Sequence, residues 1–428
     1  MNNQKRLPNV PVWAIPLLYA AIALIAGLTI PRFEHRLLPG WVSPMSLAAA
    51  MAVYSSIASG MMALTGIVFS LAFVMVQFSA TAYSPRLVLW IARDPVISHA
   101  LGVFIATFLY ATSALSGIDR GGSGIAPTLS VLIVLGLLIA SVAMFVALIQ
   151  AIGRLQIQRM LAFTGDRGRE VIGTLYPPLS SPAGTRAPQD FLSDSPTQTI
   201  IHRGRPRSIQ ALDIEGLVGV AERAGGVIEM VAAVGDTVVE LMPLARVWGT
   251  HSMVDDSEIR NRIVMGAERT FEQDPKYAIR LLVDIAIRAL SPAVNDPTTA
   301  VQALHEIEDL LMRLGLRSLE EGQFRGRNGE LRLLVPFPTW EDFLLLAFDE
   351  VRFYGATSVQ VMRRMRALLS DLIEVLPAER HAALRHWQER LASTIARSFV
   401  ELEEKQEAAV EDSQGLGVPR RGSGAGRC

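Results

Sequence analysis

The chain begins with long stretches that carry no charged residue, separated by short stretches that contain arginine or lysine. A helix crosses about 30 Å of hydrocarbon with ~20 apolar residues, and four of these stretches are long enough to do so. They predict membrane spans at about residues 12–30, 59–80, 96–117 and 127–150, within a transmembrane domain of residues 1–153. Residues 37–58 are a candidate fifth span, but their serines make them less apolar. A helix from Met45 to Ser84 would be about 58 Å long and would extend beyond the bilayer.

One side of the second span is small and polar. At alternating spacings of three and four residues it carries Ser56, Ser59, Ala63, Gly66, Ser70, Phe73, Gln77, Ala80 and Ser84. In hydrocarbon, small residues permit close helix approach and polar residues hydrogen-bond between helices. Two interpretations remain open. This side packs against the other spans or a second copy, or it lines a pore in an oligomer, with Gly66, Ser70, Gln77 and Ser84 as the candidate residues.

Composition supports the membrane assignment and excludes some classes of site. Half of the 428 residues are apolar, more than a soluble domain of this length needs. The net charge of −1 gives no argument for nucleic-acid binding. The single cysteine, Cys428, excludes an intrachain disulfide and a cysteine-rich metal site.

Basic residues near the span ends predict the orientation, because cytoplasmic segments carry the excess of positive charge. With four spans, one side of the membrane holds Lys5, Arg6, Arg86, Arg93, Arg154, Arg159, Arg167 and Arg169, and the other holds Arg32, Arg36 and Arg120. Both termini are therefore expected in the cytoplasm.

After the spans, apolar and polar residues alternate with the periods of amphipathic helices and strands, as in water-soluble domains. Residues 154–207 are expected to form an amphipathic helix at the lipid headgroups and a linker, and residues 208–250 a small α+β module. Residues 251–404 are expected to form a helical domain and residues 405–428 a disordered tail. The predicted fold class is a mainly α membrane protein: four transmembrane helices, then a small cytoplasmic α+β module and a helical C-terminal domain.

Local signals place elements within this second half. Asp213 is a favourable N-cap for a helix that reaches Ala224 and ends at Gly225-Gly226. Residues 227–234 and 237–239 are expected to be strands joined by a turn at Gly235-Asp236. Asp274-Pro275 and Asp296-Pro297 each pair an N-cap with a proline at the first helical position, and so predict two helices joined by a turn.

Two groups of polar residues are candidates for a ligand site in this helical region. Arg280, Asp284 and Arg288 are four residues apart and share one helix face, either as a solvated ladder of ion pairs or as a surface for an anionic ligand. A second group lies at the start of the next helix, either to cap it or to hold an anion; its members are Asn295, Asp296, Thr298 and Thr299.

Motifs of catalysis or cofactor binding are absent from the sequence. There is no Gly-x-Ser-x-Gly, no Walker phosphate loop and no His-Glu-x-x-His, and the seven histidines have no metal-binding spacing. No lysine between Lys5 and Lys276 is available to carry a cofactor arm. We therefore expect neither an enzyme nor a cofactor or metal.

Motifs spread over the chain resemble a known bacterial family. They are Phe69-Ser70 with Ser84-Pro85-Arg86, Leu101 to Phe104 with Thr107-Phe108, and Gln273-Asp274 with Leu290-Ser291-Pro292 and Asn295 to Ala300. From about Leu7 to Phe399 the chain resembles the predicted membrane proteins catalogued as domain of unknown function 2254. This resemblance implies an architecture and a bacterial inner membrane, but no activity.

Two functional hypotheses follow. The first is a channel-like or transport-related homo-oligomer with a cytoplasmic regulatory domain, which the polar side and the length of the second helix favour. The second is a membrane-anchored binding or signalling module whose spans only tether it and whose 280–299 region recognises a small ligand or partner. Under both hypotheses the lipid bilayer is a partner and nucleic acid is not.

Overall fold

The computed structural model describes residues 13–37, 45–82, 95–117, 126–153, 157–179, 195–250, 253–319 and 322–417. Contacts divide the chain into two compact units, Met1–Gln156 and Ile157–Cys428. The first unit contains four helices that are long and apolar enough to cross a membrane. They are α1 (Ala14–Leu37), α2 (Leu47–Ala82), α3 (Pro95–Gly117) and α4 (Thr128–Gly153). The predicted architecture is confirmed: a mainly helical chain with four apolar helices, followed by a region with small sheets and a helical C-terminal part.

Helix α3 is the centre of the first unit. It packs against α1, α2 and α4, and half of its membrane span is buried inside the unit. Helix α2 is continuous over 36 residues, so residues 47–58 join the second span instead of forming a span of their own. At ~1.5 Å per residue α2 is about 54 Å long, which exceeds the hydrocarbon thickness.

The second unit begins with α5 (Ile157–Leu175), an amphipathic helix. The sequence places its apolar side at lipid headgroups, but the structure packs α5 against α8 (Pro275–Ala289) and α9 (Pro297–Gly315). Arg169 fixes this contact, because its Nε lies 2.6 Å from Asp309 and its Nη2 2.6 Å from Glu306 on α9. The apolar side of α5 therefore completes a protein core.

Two small sheets form the β part of the second unit. Strands β1 (Gln198–Ile201), β2 (Arg207–Leu212), β3 (Val227–Met230), β4 (Thr237–Val238), β5 (Pro243–Trp248), β6 (Ile263–Gly266), β7 (Gln323–Arg325) and β8 (Leu331–Leu334) make two groups. Their orders are β1-β5-β3-β8-β7 and β4-β2-β6. β3 pairs with β8 in parallel, and the other pairs are antiparallel. Both sheets and α6 (Ile214–Ala224) share one apolar core.

The sheets correct two domain boundaries and one strand pairing expected from the sequence. β1 lies in the segment expected to be a linker, and β6 and β7 lie in the segment expected to be helical. The expected hairpin between 227–234 and 237–239 is wrong, since β3 and β4 belong to different sheets. The Gly235-Asp236 turn bonds instead to β2: the amide of Gly235 donates to the Ile209 carbonyl, and the amide of Ile209 donates to the Asp236 carbonyl.

The predicted helix signals are confirmed. Asp213 caps α6, and Gly225 ends it with a φ of 68°. Asp274 and Asp296 cap α8 and α9, each followed by proline. The remaining helices are α7 (Asp256–Arg260), α10 (Trp340–Tyr354), α11 (Val359–Val375), α12 (His381–Ser398) and α13 (Leu402–Ala408).

The segment expected to be a disordered tail is ordered as far as residue 417. α13 covers its first residues, and Asp412 is buried and accepts hydrogen bonds from the amides of Gln414, Gly415 and Gly417. The Gln360 side chain on α11 then donates to the Gly415 carbonyl at 2.6 Å. These bonds hold a polar segment whose composition resembles disorder. Residues 418–428 lie outside the described part of the chain.

Candidate functional site

The polar side of α2 points away from the rest of its helical unit. Tyr54, Ile57, Met61 and Val68 are buried on one side of α2. At about 100° per residue, the stripe from Ser59 through Gly66 and Ser70 to Gln77 lies on the opposite side. These four residues are exposed, whereas Ser84 lies outside the described residues.

The glycines of α2 differ from those of α1 and α3 in how closely other helices approach them. A Cβ atom added at Gly27 of α1 would lie 2.9 Å from the Tyr110 carbonyl oxygen, and one at Gly102 of α3 would lie 3.0 Å from the Tyr19 ring. Those glycines allow the close approach of α1 and α3. A Cβ at Gly60 or Gly66 of α2 would meet nothing within 4 Å. Gly60 and Gly66 are therefore not used by the packing of this unit, which leaves a second copy, water or lipid beside them.

A buried polar cluster in the first unit was missed by the sequence analysis. α1 continues to Leu37, and its Glu34 is buried against the start of α4, where the carboxylate accepts from the amides of Leu129 (2.6 Å) and Ser130 (3.1 Å). The Ser130 hydroxyl also bonds to Tyr54 and Tyr110, at 2.8 and 2.9 Å. A carboxylate stabilises a helix N-terminus by pairing with free amides. Glu34 lies beyond the uncharged run that predicts the first span, so the sequence pattern does not place it in that helix.

Arg280, Asp284 and Arg288 do share one side of α8, and Arg280 has its donors occupied. Its Nε lies 2.7 Å from Asp284, and its two terminal nitrogens donate to the two Glu350 oxygens on α10 at 2.9 and 2.8 Å. This bidentate contact lowers the pKa of the Glu350 carboxyl and raises the pKa of the Arg280 guanidinium. Arg280 therefore joins two helices. Arg288 is half-buried.

The group at the start of α9 has the geometry of a cap. One Asp296 oxygen accepts from the Thr299 amide at 3.1 Å and the other from the Thr299 hydroxyl at 2.6 Å. Asn295 takes a φ of 48°, a left-handed conformation that asparagine tolerates, and it turns the chain into the helix. Thr298 is exposed. Capping accounts for Asp296 and Thr299 without a ligand.

A second buried cluster joins α9 and α11. Arg364 is 2% exposed and forms ion pairs with Glu308 and, at 3.7 Å, with Asp371. Burial raises the pKa of Glu308 to about 7, Arg364 opposes this rise, and Asp371 adds to it. His305 beside this cluster is half-buried, and burial together with Arg364 lowers its pKa. Sequence spacing gives no signal for this cluster because α9 and α11 meet only in the fold.

Family comparison decides how far the resemblance extends. A family model described as "Predicted membrane protein (DUF2254)" matches residues 10–371. The chain belongs to this family. The DUF2254 match covers the four helices of the first unit and the second unit as far as residue 371, which lies in α11.

Relatives and solved structures complete the comparison. Two similar proteins, from Mycobacterium bovis and Mycobacterium tuberculosis, are each called uncharacterized. Both are 29% identical to the DUF2254 chain over 377 residues, which covers 85% of this chain and 72% of theirs. No solved structure matches. Within the part of the chain that the structure describes, no group of three or more His, Cys, Asp or Glu side chains could hold a metal.

Proposed function

We propose that this DUF2254 protein is a channel-like, transport-related homo-oligomer of a bacterial inner membrane, in which the polar sides of α2 from several copies face one another. Both termini lie in the cytoplasm, and the second unit regulates the assembly. The observation that carries the proposal is the position of the α2 stripe, opposite the buried side of its own helix.

Physical chemistry favours protein or water over lipid beside this stripe. Ser59 and Ser70 are poor partners for acyl chains, whereas a neighbouring helix or water accepts their hydrogen bonds. On the stripe itself, the small residue Gly66 lets a second backbone approach closely. The stripe contains no ionised side chain. The pathway therefore suits passive movement of a small solute or ion better than coupled pumping.

Assembly is tested with one glycine substitution in α2 and a matched substitution in α4. Gly66→Leu places a large side chain in the proposed interface, and Gly136→Leu places it on an exposed position of α4 where a Cβ also meets nothing within 4 Å. In lipid nanodiscs, native mass spectrometry should show an oligomer for the wild type and Gly136→Leu and smaller species for Gly66→Leu. A monomeric wild type, or equal effects of the two substitutions, would contradict assembly through α2.

Transport is tested separately with the purified chain in liposomes. We expect ion or small-solute flux in the wild type, and at least about tenfold less flux for Ser70→Leu and Gln77→Leu, because each replaces a polar group along the pathway. The control is Ile139→Leu, which changes an exposed apolar residue of α4. If the wild type forms oligomers but shows no flux under any ionic condition, the proposed interface is retained and the proposed pathway is rejected.

The second candidate function, a membrane-anchored binding module, is favoured by a different observation. The second unit contains a pocket lined by arginines, between α10 and α12. Arg280 and Asp296, the residues first considered for a ligand, already have protein partners, so a binding function would use this pocket instead.

A further inference from the structure

Helices α10 and α12 lie side by side in the same direction and enclose an open pocket of about 290 Å³. Phe348 packs on Trp387 near the middle of the pair, and Arg352 meets Thr394 one turn later, which sets the parallel direction. The pocket is lined by Arg352, His386, Glu389, Arg390, Ser393 and Arg397. Three of these six side chains are guanidinium groups, and one is a carboxylate.

Arg352 forms the floor of the pocket. Its side chain is 13% exposed. One terminal nitrogen donates to the Thr394 hydroxyl at 2.7 Å, and the other donates to Asp349 at 3.0 Å. Its Nε is buried without a hydrogen-bond partner in the described part of the chain. Arg352 is therefore rigidly placed and incompletely neutralised.

Arg390 and Arg397 form the wall and the rim. Arg390 donates to the same Asp349 oxygen as Arg352, at 2.8 Å, and its guanidinium stacks 4.3 Å from the centre of the Trp387 ring. Arg397 bonds through Nε to the Ser393 carbonyl at 3.2 Å and has no ion pair among the described residues. Three guanidinium groups thus face two carboxylates, Asp349 and Glu389, and the pocket keeps an excess positive charge.

Arg397 differs from Arg280 in the number of its donors that already have protein partners. The Arg280 guanidinium donates hydrogen bonds to Asp284 and Glu350. Among the described residues, neither terminal nitrogen of Arg397 has a hydrogen-bond partner, and Ser393, one turn earlier on α12, lines the same pocket. An arginine with two free terminal nitrogens, in the same pocket as an arginine that stacks on Trp387, can hold the oxygens of an anion in bidentate geometry.

We propose that this pocket binds the phosphate group of a small ligand. Arg390, Arg397 and the Ser393 hydroxyl supply donors for three terminal oxygens, as a phosphate monoester offers, whereas a carboxylate offers two. A volume of about 290 Å³ lies at the small end of ligand sites and holds a phosphate with a short attached group. Glu389 at the opening repels the anion and weakens its binding. This site is independent of the α2 pathway.

Calorimetric titration of the full-length protein in nanodiscs of neutral lipid tests the proposal. The probes are inorganic phosphate, glycerol 3-phosphate, dioctanoyl phosphatidic acid and, as the carboxylate competitor, malonate. We expect saturable binding of at least one phosphate probe, and malonate binding at least about tenfold weaker. Binding confined to phosphatidic acid would identify a lipid headgroup as the source, and binding of glycerol 3-phosphate a soluble ligand.

Substitutions then locate the site. Arg397→Gln removes a rim charge that contacts only its own helix, and should weaken phosphate binding at least about tenfold without changing the melting temperature. Arg385→Gln, an exposed arginine of the same helix outside the pocket, should leave the affinity unchanged. Glu389→Gln should increase the affinity. Absence of saturable phosphate binding, equal malonate affinity, or equal effects of Arg397→Gln and Arg385→Gln would each overturn the proposal.

Discussion

At the scale of single residues, arginine holds the second unit together. Arg169 joins α5 to α9, Arg280 joins α8 to α10, and Arg364 joins α9 to α11. The planar guanidinium reaches two carboxylates at once, which lysine cannot do in the same geometry. Arg280, which the sequence suggests as a ligand contact, therefore joins two helices.

Glu350 provides the pH test of such a contact. Its pKa is lowered in the folded state by Arg280, so the stabilisation is present above the ordinary glutamate value of about 4.3 and is lost as the pH falls through the lower folded value. Because the Glu350 side chain is partly exposed, Glu350→Gln should cost about 1 kcal/mol or less at pH 7. Thermal unfolding followed by circular dichroism between pH 3 and about 7 measures this difference.

The control for this experiment is Glu374→Gln, at an exposed carboxylate of α11 that has no ion pair in the described part of the chain. We expect it to melt like the wild type at every pH. A gap between wild type and Glu350→Gln that persists in acid, where both side chains are neutral, would refute the ion-pair account.

At the scale of elements, helix starts are the best-predicted features of this chain. Asp213, Asp274 and Asp296 each accept the amide hydrogen bond that their sequence context predicts. An N-cap depends on neighbouring residues alone, so tertiary contacts do not have to be known. Strand pairing was less predictable, because β3 lies between β5 and β8, which is distant in sequence.

Substitutions of the α9 N-cap, Asp296, can distinguish a structural role from a role in ligand binding. Asp296→Ala should lower the free energy of unfolding by about 1 kcal/mol, whereas Asp296→Asn should cost much less because asparagine also caps. The measurement is chemical denaturation of the full chain in detergent, with Thr298→Ala at an exposed neighbour as the control. A large loss for Asp296→Asn, or none for Asp296→Ala, would contradict capping as the role of Asp296.

At the scale of the whole molecule, the proposed orientation places residues 157–428 on one side of the membrane. Cys428 is the single cysteine, so a membrane-impermeant maleimide reports its side directly. In spheroplasts that express the chain, Cys428 should react only after lysis. In a Cys428→Ser background, Ser123→Cys in the predicted outer loop should react before lysis. The reverse pattern would invert the topology and move the second unit out of the cytoplasm.

The sequence by itself determined that four helices are long and apolar enough to cross a membrane, and its aspartate start signals determined the caps of three soluble helices, because both depend on neighbouring residues. The family motifs in the sequence added the membership that the comparison confirmed. Tertiary structure decided which side of α2 stays outside its unit, which strands share a sheet, and which arginines are neutralised. Glu350 is 70 residues from Arg280, and contacts at that separation depend on the packing of whole helices. The pocket between α10 and α12 arises in the same way, since its charges come from two helices that only the fold brings together.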